Sequence, residues 1–225
     1  MKSAWRWIAG LGGAAVVTAG VSFGVGATVF RGSRDKVVLL ERTARAFSIP
    51  AVLMSGKSDA PVTIIEASDF ECGFCERVQP VIERLKQEHD GRIRHAFVPY
   101  PRGGAAHKAV YGLAYVAAIK QGKGAAFRSA LFDRSLKRAT TDPEVRRREA
   151  MEAVREVART LEFDHERFDQ DMKAPSTKAL WEQAVAAVDS AGIRATPTVF
   201  VNGYRVRGAL ELEGYRRVIG TVMAD

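Results

Sequence analysis

The chain has 225 residues, 47% of them hydrophobic and 27% charged, enough to bury a sizeable core and incompatible with general disorder. Its net charge of +8 comes from Lys and Arg spread along helical stretches without a nucleic-acid motif, so solvated helix faces are expected, with weak attraction to anionic lipid as the second reading and nucleic acid not a partner. Only two cysteines are present, which leaves no third thiol and excludes a body stapled by structural disulfides.

In chain order, Met1 to Arg6 is a short basic start, and residues 7–30 carry no charge, a run long enough to cross a hydrocarbon layer as a helix. Trp5 and Trp7 suit a membrane interface, and Arg31, Arg34 and Lys36 follow. Residues 1–31 therefore read as a signal anchor, or as a signal peptide if Val17-Thr18-Ala19 or Val25-Gly26-Ala27 is a cleavage site. Gly20 and Gly24 form a G-x-x-x-G pattern of the kind that lets membrane helices approach. Residues 32–59 read as a tether and entry segment, with a short helix over 37–47 and a break at Ile49-Pro50.

The run 61–67 has the β-branched content of a buried strand. Apolar residues at Cys75, Val78, Val81, Ile82 and Leu85 then follow a helical period to His89, Gly91 stops the helix, and residues 92–98 form a second strand. Such a strand-helix-strand unit predicts parallel strands and a right-handed crossover. Helical spacing continues over 105–121, 125–132, 143–161 and 177–191. Residues 198–201 are a strand, Asn202-Gly203 a two-residue hairpin turn and 204–207 its partner strand. Leu212, Tyr215, Val218, Ile219 and Val222 give the last helix one apolar face.

The chemistry concentrates at Cys72-Gly73-Phe74-Cys75, where a strand hands over to a helix. Residues three apart share a helix face, so the two sulfurs can reach bonding distance. Cys72, at the helix N-terminus, faces free backbone N–H groups and the positive end of the dipole, which favour a thiolate. Cys75, one turn in, is placed to resolve a mixed disulfide. A structural disulfide closing so short a loop stabilises little, and a zinc site needs two more ligands. His89, His95, His107 and His165 are not read as supplying them, and no metal is expected.

Four features give the chain a resemblance to the DsbA-like thiol:disulfide oxidoreductases of bacterial envelopes, within the thioredoxin-fold superfamily. They are the Cys72-Gly73-Phe74-Cys75 motif, Glu66 six residues before it, Pro80 within the active-site helix, and the segment from Gly192 to Gly203 containing Thr196-Pro197. The resemblance implies an α/β thioredoxin fold over residues 60–225, with a helical subdomain inserted at about 103–191 and the N-terminal hydrophobic helix ahead of it. Cys72 would exchange disulfides with protein substrates, Cys75 would resolve them, and Glu66, raised in pKa if buried, would exchange protons with Cys75. Thr196-Pro197 would be cis and bind substrate backbone, with Gly73 and Phe74 beside the substrate. No dissociable cofactor is implied, because the Cys72-Cys75 disulfide carries the electrons, but a redox partner must recharge it.

The family's proline and histidine between the cysteines are Gly73 and Phe74 here. Phe74 donates no hydrogen bond to a Cys72 thiolate, which predicts a weaker oxidant. His107 lies near a histidine of related sequences, and a packing role is its expectation. The implied location is the periplasmic side of the envelope, anchored in the inner membrane by residues 7–30, or secreted after cleavage. Two other classes stand beside this reading: a membrane-tethered polypeptide-binding or chaperone-like module, and a dithiol protein delivering metal.

Overall fold

The computed structural model describes residues 27–31, 37–42, 49–135, 141–206 and 209–223. Its first elements differ from expectation. β1 (Ala27–Arg31) and β2 (Val37–Arg42) form an antiparallel hairpin with Thr28 opposite Leu40 and Phe30 opposite Val38. Residues 27–30, expected as the end of the apolar helix, and 37–42, expected in a short helix, are thus strand. Thr28-Val29-Phe30 and Val37-Val38 are β-branched or aromatic, and a sheet edge supplies ladder partners that an isolated tether helix lacks. Residues 1–26, with the rest of the expected membrane helix, lie outside the described residues. Among those described, no helix is long and apolar enough to cross a membrane.

After a short 3₁₀ turn at Ala51–Leu53, β3 (Met54–Ser55) adds a second edge strand from the stretch expected as tether. β4 (Val62–Ser68), α1 (Gly73–Glu88) and β5 (Ile93–Pro99) form the predicted unit, with β4 and β5 parallel and Ile64 opposite His95. The helical block follows: α2 (Ala106–Lys120), α3 (Gly124–Ser135), α4 (Pro143–Thr160), α5 (His165–Lys173) and α6 (Pro175–Asp189). β6 (Thr198–Val201), β7 (Tyr204–Val206) and α7 (Leu212–Val222) close the chain. Among the described residues the mixed sheet runs β1-β2-β7-β6-β4-β5-β3. That order places β4, which leads into the cysteines, inside the sheet between β6 and β5.

Strand alternation divides the core. Val62 and Ile64 of β4 pack with Val78, Ile82 and Leu85 of α1 and Tyr215, Val218 and Ile219 of α7 on one face. Ile65 and Ala67 pack with Val116 of α2 and Trp181, Ala184 and Val188 of α6 on the other. The helical block has its own core, in which Phe127, Val154, Phe163 and Phe168 meet Phe70, Cys75 and Phe97 from the sheet side. The back of the active-site motif is therefore part of the seam between insertion and sheet. Two local features fix the hairpin that carries the Thr196-Pro197 segment. Asn202 and Gly203 take the positive φ values (47° and 82°) of a tight turn, and the Asn202 amide bridges to β4, accepting from the Thr63 N–H at 2.7 Å and donating to the Pro61 carbonyl at 3.0 Å.

Candidate active site

Cys72 caps the N-terminus of α1 in an extended conformation, and its carbonyl accepts from the Cys75 and Glu76 amides at 2.9 and 3.1 Å. Its thiol makes no capping bond to the helix. Instead Sγ–H donates to the Thr196 carbonyl at 3.4 Å, because a thiol is a donor and that carbonyl is the acceptor in reach. The Thr196-Pro197 peptide bond is cis, so two segments 124 residues apart meet at one sulfur. Cys72 is half-buried and Cys75 fully buried, both as thiols. Asp69 N–H donates to Cys75 Sγ at 3.4 Å. Burial is the main reason that the Cys75 thiol is pushed well above its ordinary value, and the neighbouring Cys72 adds to the effect.

Gly73 and Phe74 stand at the open side. A Cβ on Gly73 would meet nothing within 4 Å, and Phe74 is 59% exposed, with Arg77 stacked on its ring at 4.3 Å. Phe74, Arg194, Ala195, Thr196, Pro197 and Val206 line a cavity of ≈530 Å³ beside Cys72. The seven residues expected in the site thus lie around one motif: Cys72, Gly73, Phe74, Thr196 and Pro197 at its mouth, Cys75 and Glu66 behind it. Pro80 lies inside α1 as expected.

Glu66 is fully buried, yet its carboxyl is not raised as the sequence led us to expect. Burial is the strongest single influence and works upward. The hydrogen bond from His95, the charge of Arg128 and the hydrogen bond from Ser68 together outweigh it and leave the carboxyl below its ordinary value of 4.5. The partners are close. Gln79 Nε2 donates to Glu66 Oε1 at 2.8 Å, Ser68 Oγ donates to the same oxygen, and His95 Nε2 lies 3.3 Å from Oε2. Arg128 of α3 reaches His95 Nδ1 at 3.5 Å from the far side and pairs with Glu83 at the surface. An arginine donating to Nδ1 leaves the proton on Nε2, directed at Glu66. Burial pulls the His95 imidazole below its ordinary 6.5, so it is neutral at physiological pH.

A second charged cluster flanks Cys72. Glu71 accepts from His107 Nε2 at 3.0 Å and from Arg146, with Lys108 3.7 Å away, while Lys108 also pairs with Asp69. Burial works upward on the Glu71 carboxyl, but the His107 hydrogen bond and Arg146 hold it below its ordinary value. His107 is buried as expected of a packing residue, and it also clamps the residue next to the nucleophile.

Sequence reasoning missed Ser68, Gln79, Arg128, Glu71 and Arg146. Only Gln79, i+4 from Cys75 on the same helix, left a sequence signal for its placement. His89 and His95, spaced like a zinc pair, do not converge: His89 ends α1 and His95 is buried against Glu66. Among the described residues no group of three His, Cys, Asp or Glu side chains is placed to hold an ion.

A strand-helix-strand core with a helical insertion, and a dithiol at a helix start facing a cis-proline loop, define the DsbA-like class of thioredoxin-fold proteins. The chain belongs to the thioredoxin family, whose profile matches residues 49–221. A thioredoxin-like oxidoreductase from Silicibacter pomeroyi is similar over 76% of this chain and 92% of its own, with a TM-score of 0.62 and 25% identity. The thiol-disulfide exchange protein alpha-DsbA2 of Wolbachia pipientis has the same fold, with a TM-score of 0.60 over 75% of this chain and 86% of its own at 21% identity. The Na(+)/H(+) antiporter NhaA 1 of Mycolicibacterium gilvum is 30% identical over 155 residues, 68% of this chain but 24% of that protein. The chain thus spans about a quarter of the length of such relatives.

Proposed function

We propose that this chain is an envelope thiol:disulfide oxidoreductase acting on protein substrates through Cys72 and Cys75. The observation that carries the reading is the half-buried Cys72 thiol at the start of α1, 3.4 Å from the Thr196 carbonyl of the cis-proline loop, with Cys75 one turn behind it. An attacking thiol needs access and a resolving thiol needs protection from competing partners, and the two sulfurs differ in burial in that sense. A partner cysteine enters the cavity beside Phe74, its extended backbone alongside Thr196-Pro197, and forms a mixed disulfide with Cys72 that Cys75 opens. Glu66 takes part in the proton movement of that second step. Oxidation, reduction and isomerisation use these same atoms, and a redox partner restores the starting state.

Disulfide chemistry of this kind belongs in an oxidising compartment, and the apolar stretch ahead of β1 is the part of the chain that would carry it there. The antiport named for longer relatives requires a membrane-crossing path, and the described residues contain no helix able to form one. The test is exchange with a reduced or oxidised cysteine-containing protein. Cys72→Ser with Cys75→Ser should abolish it, whereas a polypeptide-binding module would keep its function, and a dithiol carrying metal would hold copper or zinc in the purified reduced protein.

A further inference from the structure

The cavity beside Cys72 has walls of two kinds. Phe74, Pro197 and Val206 are apolar, Arg194 and Arg205 are cationic, and no lining residue is acidic. Arg194 is exposed and stands two positions before Thr196, whose carbonyl accepts from the Cys72 thiol at 3.4 Å. Arg77, stacked on the exposed Phe74 ring at 4.3 Å, brings a further guanidinium to the same wall. Arg205 is held in place by donating to the Ala191 carbonyl and lying over the Phe200 ring.

Charge is balanced differently in the cluster built on Asp69 and Glu71. There Lys108, His107 and Arg146 meet the two carboxylates within the protein. Among the described residues, no carboxylate lies within ion-pair distance of Arg77 or Arg194. Glu76, in the first turn of α1, does not line the cavity. A guanidinium at such a half-open rim is free to form a two-pronged pair with a carboxylate brought from outside.

From this geometry we infer that the clients of this cavity are polypeptides with an Asp or Glu close to the reacting cysteine and an apolar side chain beside it. The inference rests on the exchange reading above and names its substrate class. A client held extended along the Thr196-Pro197 segment sets every second side chain on one face, about 7 Å apart. With its cysteine at Cys72, a carboxylate about two residues away therefore comes level with Arg194. Phe74 and Val206 cover the apolar neighbour. A lysine in the place of the carboxylate meets like charge and is selected against.

The test uses the full reduced chain and peptides with one cysteine activated as a 2-pyridyl disulfide. Attack joins Cys72 Sγ to the peptide sulfur, breaks the bond to the pyridyl sulfur and releases thiopyridone, which leaves with the proton and is read by absorbance. One peptide carries Asp two residues from the cysteine and a second carries Lys there. A third has the composition of the first with Asp moved to the far end, because a net charge of +8 attracts any acidic peptide and only position reports the cavity. At low salt the first should react about tenfold faster than the second and several-fold faster than the third, with both ratios shrinking as salt rises. Arg194→Glu with Arg77→Glu should bring the first ratio to about one or below, whereas Arg194→Lys with Arg77→Lys should keep most of it. Ratios are taken within each protein, so a general loss of rate cancels.

Equal wild-type rates for the Asp and Lys peptides would overturn the inference. So would a displaced Asp that works as well as a near one, or a wild-type ratio in the charge-reversed protein. If that protein does not fold, the near-against-displaced comparison in the wild type decides. An uncharged small reagent, 2-hydroxyethyl 2-pyridyl disulfide, separates the two readings. A wild-type chain that releases no thiopyridone from it would overturn the exchange reading and this inference with it, while attack on it without any preference among the peptides would overturn this inference alone.

Discussion

Glu66 keeps its charge inside the protein because Gln79, Ser68 and His95 stand against it and the charge of Arg128 adds to their effect, and this shapes two expectations at the scale of single residues. Glu66→Gln preserves the shape of the site but cannot take up the proton that Cys75 releases. Resolution should slow by roughly tenfold to a hundredfold with attack by Cys72 nearly intact, and rapid-quench analysis showing both steps slowed equally would contradict the role. Stability should depend on pH through the same pair. His95 has a folded-state pKa below its ordinary 6.5, so the unfolded chain takes up the proton first, and stability falls as pH drops below that value. Glu66 also has a depressed pKa, and the stability it contributes is present above 4.5 and lost as pH falls through its folded value. Chemical denaturation across acidic pH should show both losses, and His95→Gln should remove the first. The sequence displayed Cys72, Cys75, Thr196 and Pro197 because a short motif and a turn-flanked proline carry their own context. It did not display the sign of the Glu66 shift, which depends on Arg128, 62 positions away and on a different element.

Among the elements, α2 and α6 meet where one has no side chain. A Cβ on Gly112 would stand 2.4 Å from the buried Trp181 indole, whose Nε1–H donates to the Pro99 carbonyl at 2.8 Å. Gly112→Ala should therefore destabilise by about 1–2 kcal/mol despite alanine's better helix propensity, because overpacking outweighs it. Thermal melting checks the sign. Asp142 caps α4 by accepting from the Glu144 and Val145 amides at 2.9 and 3.0 Å, and Asp142→Ala should cost about 1 kcal/mol by the same measurement. Most helices and the β4-α1-β5 unit were legible because their apolar periods run for several turns or a full strand. α5 was not: its nine residues are largely charged, with only Phe168 and Met172 buried, and its start is marked by the Asp164 cap alone. β2 and β3 were misread because they pair with strands formed by distant residues, Val206 opposite Leu40 and Ala96 opposite Met54, and β1 was misread with them because, among the described residues, it pairs only with β2.

For the whole molecule, the helical insertion is bound to the redox centre as well as packed over it. Arg128 reaches His95, which stands against Glu66, and His107, Lys108 and Arg146 hold Asp69 and Glu71 just before Cys72. Such a frame fixes where both sulfurs stand, yet it provides no hydrogen-bond donor at position 74 for a Cys72 thiolate. The reduction potential should accordingly be more negative than about −120 mV, the value of the strongest envelope oxidants, and a glutathione redox titration checks it.

The most direct measurement of the central claim is covalent trapping. Cys75→Ala protein, incubated with a cysteine-bearing client, should accumulate a reducible adduct whose mass spectrum maps the new disulfide to Cys72, while wild-type protein releases the client. The absence of any such adduct, under conditions where the variant is folded and Cys72 is reduced, would contradict the account.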